Sequence, residues 1–176
     1  MPPAIGTARA IENPHTISEK AYIDIGRACR ILGVGRGSVR EMAEAGDIHM
    51  MEYRRGIRLK KVRYQSVIEH CDRLRAEYFI PDLRPVLSSP LFRHRDEDLL
   101  PFHLRDTVYM PEAAAALGYN AYSSVVKLID SGCFWAYKLR PQLQSPWRIC
   151  ASSLRAYLDR VLEGIARPKV EPSSRF

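Results

Sequence analysis

No apolar run in these 176 residues approaches the ~18 needed to cross a bilayer. The opening Met1-Pro2-Pro3-Ala4-Ile5-Gly6 also lacks the basic start and apolar stretch of a signal peptide. The expectation is a soluble chain of the cytoplasm. Cysteine is scarce: Cys29, Cys71, Cys133 and Cys150 never approach Cys-x-x-Cys spacing and sit among apolar residues, so neither zinc nor a disulfide framework is suggested and they read as small core residues. A nucleotide loop is missing too, because Gly33-Val34-Gly35-Arg36-Gly37 has neither a preceding strand nor a downstream Lys-Ser/Thr; its glycines read as a tight corner between helices. No Ser or Cys has a plausible His and acid partner by motif, His15, His49 and His70 look isolated, and His94 and His103 have no ligand neighbours at metal spacing. Catalysis, metal and cofactor are therefore not expected.

What the chain does contain is one pattern written twice. Ile31-Leu32-Gly33-Val34 returns as Ala116-Leu117-Gly118-Tyr119 at an offset of 85, and Ala45-Gly46-Asp47-Ile48 returns as Ser131-Gly132-Cys133-Phe134 at 86. Lys61-Val62 through Ser66-Val67 returns as Arg148-Ile149 through Ser153-Leu154 at 87, so the second copy gains single residues only in its loops. Conserved order and spacing mark an internal repeat. Each copy is small for an independent core, so contact with the linker or the other copy should add stability.

In the first copy, Ala28, Ile31 and Leu32 share a face at helical spacing and Gly33 stops the helix; a second helix from about Arg36 to Ala45 turns Val39, Met42 and Ala43 inward until Gly46. In the second, Pro111 suits a first turn, Asn120 is placed to cap the next helix, and Val125, Leu128 and Ile129 form its inward stripe before Gly132. Met50 to Tyr53 and Ile57 to Arg63 flank the turn Arg54-Arg55-Gly56 as a hairpin, and Ala136 to Leu139 pair with Trp147 to Cys150 across a longer loop. Closing helices, Ser66 to Leu74 and Ser152 to Leu162, start on hydroxyl caps and present Val67, Ile68, Cys71 and Leu74, or Leu154, Tyr157, Leu158 and Val161, at core spacing. The expected fold class is mainly α with small β-hairpin wings: two winged helix-turn-helix repeats, 21–75 and 107–165, joined by a linker over 76–106 and flanked by tails, 1–20 and 166–176. The linker carries Pro81, Pro85, Pro90 and Pro101, and its pieces Tyr78-Phe79-Ile80, Leu91-Phe92 and Leu99-Leu100 argue that parts of it pack on the repeats.

The net charge of +7 is concentrated in the first repeat, where residues 21–75 hold 12 Lys/Arg against 7 Asp/Glu, whereas 76–106 hold 4 against 6 and 107–163 hold 6 against 4. An exposed helix face with Arg36, Ser38 and Arg40 suits a major groove, since Arg forks match the two acceptors of guanine and Ser bonds base or phosphate. The hairpin cations Arg54, Arg55, Arg58, Lys60, Lys61 and Arg63 suit phosphates; a merely solubilising hairpin would usually mix in acids. The second repeat offers Tyr122, Ser123, Ser124 and Lys127 on its equivalent helix and Lys138, Arg140 and Arg148 on its hairpin. That weaker set either reads DNA by stacking, hydroxyls and shape or contacts a protein. Trp135, Tyr137 and Trp147 read as filling between hairpin and helices.

Leu32-Gly33-Val34-Gly35-Arg36-Gly37-Ser38-Val39-Arg40 with Ala45-Gly46-Asp47-Ile48 resembles the excisionase and MerR-like winged helix-turn-helix domains; Leu117-Gly118-Tyr119-Asn120 with Asp130-Ser131-Gly132-Cys133-Phe134 resembles them more loosely, with one extra residue between Tyr119 and Val125. The two matches cover roughly two thirds of the chain. The resemblance implies a sequence-specific binder of double-stranded DNA in a bacterium, phage or mobile element, associated with the nucleoid. Its role would be architectural in recombination or regulatory in transcription, with a recombinase, a transcription partner or further copies of itself as companions. The alternative is an interaction adaptor whose second repeat binds a protein. Two tethered modules imply two unlike half-sites about 10 base pairs apart, the first dominant.

Overall fold

The computed structural model describes residues 22–55, 57–84, 95–142 and 144–166, with the backbone alone described over 52–55, 57–59 and 165–166. The expected tails apart from Ala166, which ends a helix, together with Gly56 and the linker features Pro85, Ser88-Ser89, Pro90, Leu91-Phe92 and His94, lie outside the described residues. Among those described, six α-helices and two three-stranded antiparallel sheets form a mixed α+β chain. In order they are β1 (Tyr22–Asp24), α1 (Ile25–Leu32), α2 (Arg36–Glu44), β2 (Met50–Arg55), β3 (Ile57–Arg63) and α3 (Tyr64–Glu77), then β4 (Thr107–Val108), α4 (Met110–Leu117), α5 (Tyr122–Asp130), β5 (Ala136–Lys138), β6 (Trp147–Cys150) and α6 (Ala151–Ala166). The chain divides into two compact units, residues 1–70 and 71–176. No described helix is long and apolar enough to cross a membrane.

The repeat in the sequence is a repeat in hydrogen bonds. Both sheets place the last strand centrally, in the orders β1-β3-β2 and β4-β6-β5. The short outer strands β1 and β4 escape sequence reading because two or three residues cannot show an alternation. In the first copy Arg63 N–H donates to the His49 carbonyl at 2.8 Å and His49 N–H to Ser66 Oγ at 2.9 Å; in the second, Cys150 N–H donates to the Trp135 carbonyl at 2.9 Å and Trp135 N–H to Ser153 Oγ at 3.0 Å. These serines, expected at or beside helix caps, instead tie the closing helix to the chain entering the hairpin. The N-terminus of α6 is capped from a distance: the Asp106 carboxylate accepts from Ser152 N–H at 2.9 Å and from its hydroxyl. Partial burial opposes ionisation of Asp106, but the Ser152 and Cys150 donors outweigh it and hold its carboxyl below the usual range.

Four helix ends close on glycine in the left-handed conformation: Gly33, Gly46, Gly118 and Gly132, with φ of 63°, 82°, 71° and 70°. Each is followed by a residue whose N–H reaches back five positions, as in Val34 to Cys29, Asp47 to Met42, Tyr119 to Ala114 and Cys133 to Leu128. A fifth end, that of α3, has the same bonds, Ile80 N–H to the Arg75 carbonyl and Phe79 N–H to that of Ala76, but places Phe79 at φ 54° with 90% of its surface exposed. A Cβ strains that conformation and this ring buries nothing in return. We therefore expect Phe79→Gly to stabilise the chain by about 0.5–1 kcal/mol, read as a higher urea midpoint at unchanged slope. A lower midpoint would show that the ring carries packing.

The first unit buries Ile23, Ala28, Ile31, Leu32, Val39, Met42, Ile48, Val62, Val67 and Ile68, which are the inward faces of its helices and hairpin. In the second unit Ala113, Ala114, Val125, Phe134, Ala136, Ile149 and Leu154 form a core against which Leu128, Ile129, Tyr157 and Leu158 pack. Val161, expected inward, is 39% exposed, because α6 continues beyond the core that holds its first half. Asn120 is not a cap: α5 starts after Ala121, and no side chain caps it. The connecting segment belongs to this unit where it is described. Arg75 is buried, donating through Nη1 to Asp72 at 2.9 Å and through Nη2 to the carbonyls of Asp98, Leu99 and Leu100 at 2.9, 2.6 and 2.6 Å. Phe102 stands edge-on to Tyr137 at 5.1 Å, and Tyr78 meets Trp147 at 5.9 Å. Thus Tyr137 and Trp147 are packed by the connecting segment.

Candidate nucleic-acid interface

The candidate face of the first unit is built on α2. Asp24 caps α1 by accepting from Arg27 N–H at 2.8 Å, and the turn at Gly33 leads into α2, which begins after Gly35 without a side-chain cap. Val39 and Met42 anchor the helix inward. Arg36 and Arg40, one turn apart, are both exposed on the same flank. Ser38 is half-buried and lies about 200° around the helix from each arginine, so the structure brings the two arginines together and leaves the serine out. Gly37 is exposed, and a Cβ built on Gly35 or Gly37 would meet nothing within 4 Å. Only Gly33 of these three glycines takes a left-handed φ, so the corner accounts for Gly33 and not for its two neighbours.

The hairpin β2–β3 is longer than the sequence suggests, with Arg54 and Arg55 paired in the ladder. Its register sets Arg54 opposite Arg58 and Glu52 opposite Lys60, and Met50 to Arg63 hold six cations against one acid. Lys60 and Lys61 are half-buried and Arg63 is exposed; alternation separates Lys61 and Arg63 from Lys60, which shares the parity of buried Val62. The side chains of Arg54, Arg55 and Arg58 lie outside the described residues.

The second copy keeps the frame and changes the chemistry. α5 matches α2 residue for residue at an offset of 86, which puts Tyr122 at the position of Arg36, Ser123 at Gly37, Ser124 at Ser38, Val126 at Arg40 and Lys127 at Glu41. Tyr122, Ser123 and Lys127 are exposed, while Ser124 is half-buried like its counterpart. The hairpin cations depart from the expected exposed set. Arg148 is 3% exposed: its guanidinium lies over the Tyr137 ring, 5.9 Å from the centroid, and Nη1 donates to the Tyr137 hydroxyl at 3.4 Å. Its charge is satisfied internally and withheld from the surface. Lys138 is half-buried with its ammonium 5.3 Å from the Trp147 ring centre, and Arg140 is half-buried. Sequence pattern does not reveal this, since a cation on a short strand looks the same whether it faces water or a ring.

Elsewhere the chemistry is subdued. Burial pushes the Cys71 thiol up to about 12 and raises that of Cys150, which leaves neither as a ready thiolate. Among the described residues no three of His, Cys, Asp and Glu stand together as a metal site requires. A cavity of about 80 Å³ beside Arg75, Phe102 and His103 has room for a few waters, well under the several hundred Å³ of a small-molecule site. Comparison with protein-family models, curated proteins and solved structures finds no match.

Proposed function

We propose that the chain is a sequence-specific binder of double-stranded DNA built from two winged helix-turn-helix modules, acting as an architectural factor or transcriptional regulator. The observation that carries this reading is the α2 flank, where Arg36 and Arg40 are exposed one turn apart. The uncapped helix start leaves its first N–H groups directed at solvent or a phosphate. Gly37 adds to it: a glycine inside a helix costs about 0.5–1 kcal/mol relative to alanine. No packed atom within 4 Å of a Cβ at this position requires it, whereas close approach of a duplex does. The hairpin, with six cations against one acid between Met50 and Arg63, supplies the general attraction to phosphate.

The test is selection of duplexes from a random pool by the full chain, followed by two variants. Arg40→Ala should cost about 1–3 kcal/mol on the selected duplex and leave random DNA nearly unchanged. Gly37→Ala should raise stability by up to ~1 kcal/mol while weakening binding, a combination that a structural role alone does not give. Absence of any enriched duplex would overturn the reading. A second reading, that the second copy binds a protein, is favoured by the burial of Arg148 and the sparse charge on α5. It predicts that residues 71–176 add no salt-dependent contact to the footprint.

A further inference from the structure

The one-to-one match of α2 and α5 carries an inference about what the second copy reads. In both helices the position one turn along this flank lies off the core stripe: Val125 is buried and Leu128 and Ile129 pack on the core, whereas Val126, half-buried where Arg40 is exposed, stands on the flank that Arg40 occupies in α2. The neighbouring position one turn earlier holds Tyr122, 53% exposed, where α2 has Arg36. The substitution is therefore a change from two guanidinium forks to a phenol and a branched apolar group, with the backbone frame unchanged. An arginine at this position matches the paired acceptors of guanine. A valine offers no hydrogen bond, and the one apolar feature of the major groove is the C5 methyl of thymine.

We propose that Val126 is a specificity-determining residue that packs on a thymine methyl, so the second half of the target is read as A·T where the first is read as G·C, with Tyr122 positioning α5 through its hydroxyl on the backbone. This rests on the duplex-binding reading above. The branched side chain needs no charge for this contact, which agrees with a hairpin whose arginine is turned inward onto Tyr137.

The experiment uses the full chain and the duplex it selects from a random pool, with thymine replaced one position at a time by uracil, which lacks only the methyl. Uracil at one or two positions of one half-site should lower affinity about three- to tenfold. Val126→Ala should bind the thymine and uracil duplexes equally at those positions. Arg40→Ala should bind both more weakly and keep their ratio. Failure to select any duplex would overturn both the DNA reading and this inference. A selected duplex insensitive to uracil throughout, or a thymine preference that survives Val126→Ala, would overturn this inference alone and leave duplex binding standing.

Discussion

Arg75→Met should destabilise the chain by about 3–5 kcal/mol, because it strips the donor from three backbone carbonyls at once. The methionine retains most of the apolar length of the arginine, so the loss is one of hydrogen bonds. Asp72, 46% exposed at its side chain, returns to water at little cost, but the carbonyls of Asp98, Leu99 and Leu100 belong to a stretch in which Leu99 and Leu100 are themselves buried. Urea unfolding measures the loss, and amide exchange over residues 95–106 should accelerate before the rest of the second unit. A change below about 1 kcal/mol would mean that water replaces the guanidinium and that the segment is not held by it.

The second large effect concerns binding. Replacing Arg54, Arg55 and Arg58 together with alanine should weaken binding to every duplex by roughly ten- to a hundredfold at moderate salt and reduce the slope of log affinity against log salt by about 2.7. The selected duplex and a random one should lose equally, since phosphate contacts carry little sequence information. Unchanged affinity would remove the hairpin from the interface, and a loss confined to the selected duplex would make it a reader of bases.

Sequence reading recovers those parts of the fold that are local. The helix stops at Gly33, Gly46, Gly118 and Gly132 are legible because a left-handed residue with a back-reaching N–H is specified within six positions. The inward stripes Ala28, Ile31 and Leu32, or Val39 and Met42, follow from periodicity. What escapes is long-range. The cap on α6 comes from Asp106, 46 positions before Ser152, and Arg75 finds its acceptors 23 to 25 positions onward. Neither spacing has a signature. The candidate interface is half legible: exposed arginines on α2 follow from its apolar stripe, but the separation of Ser38 requires the helix start to be fixed, and the inward turn of Arg148 depends on Tyr137 across the hairpin.

Ser66 and Ser153 also bear on how such a chain changes over time. Each fixes the base of its hairpin to the helix that follows, through the backbone N–H of His49 or Trp135, and a backbone donor is indifferent to which side chain stands there. Beyond that anchor the tips differ in length: the strands of one are separated by a single residue after Arg55, and those of the other by residues 139 to 146. After a duplication, insertions and substitutions in the tips and on the exposed helix flanks could accumulate without disturbing either core. Two differences between the copies, a lengthened loop and an exposed arginine exchanged for the exposed Tyr122, lie in such places.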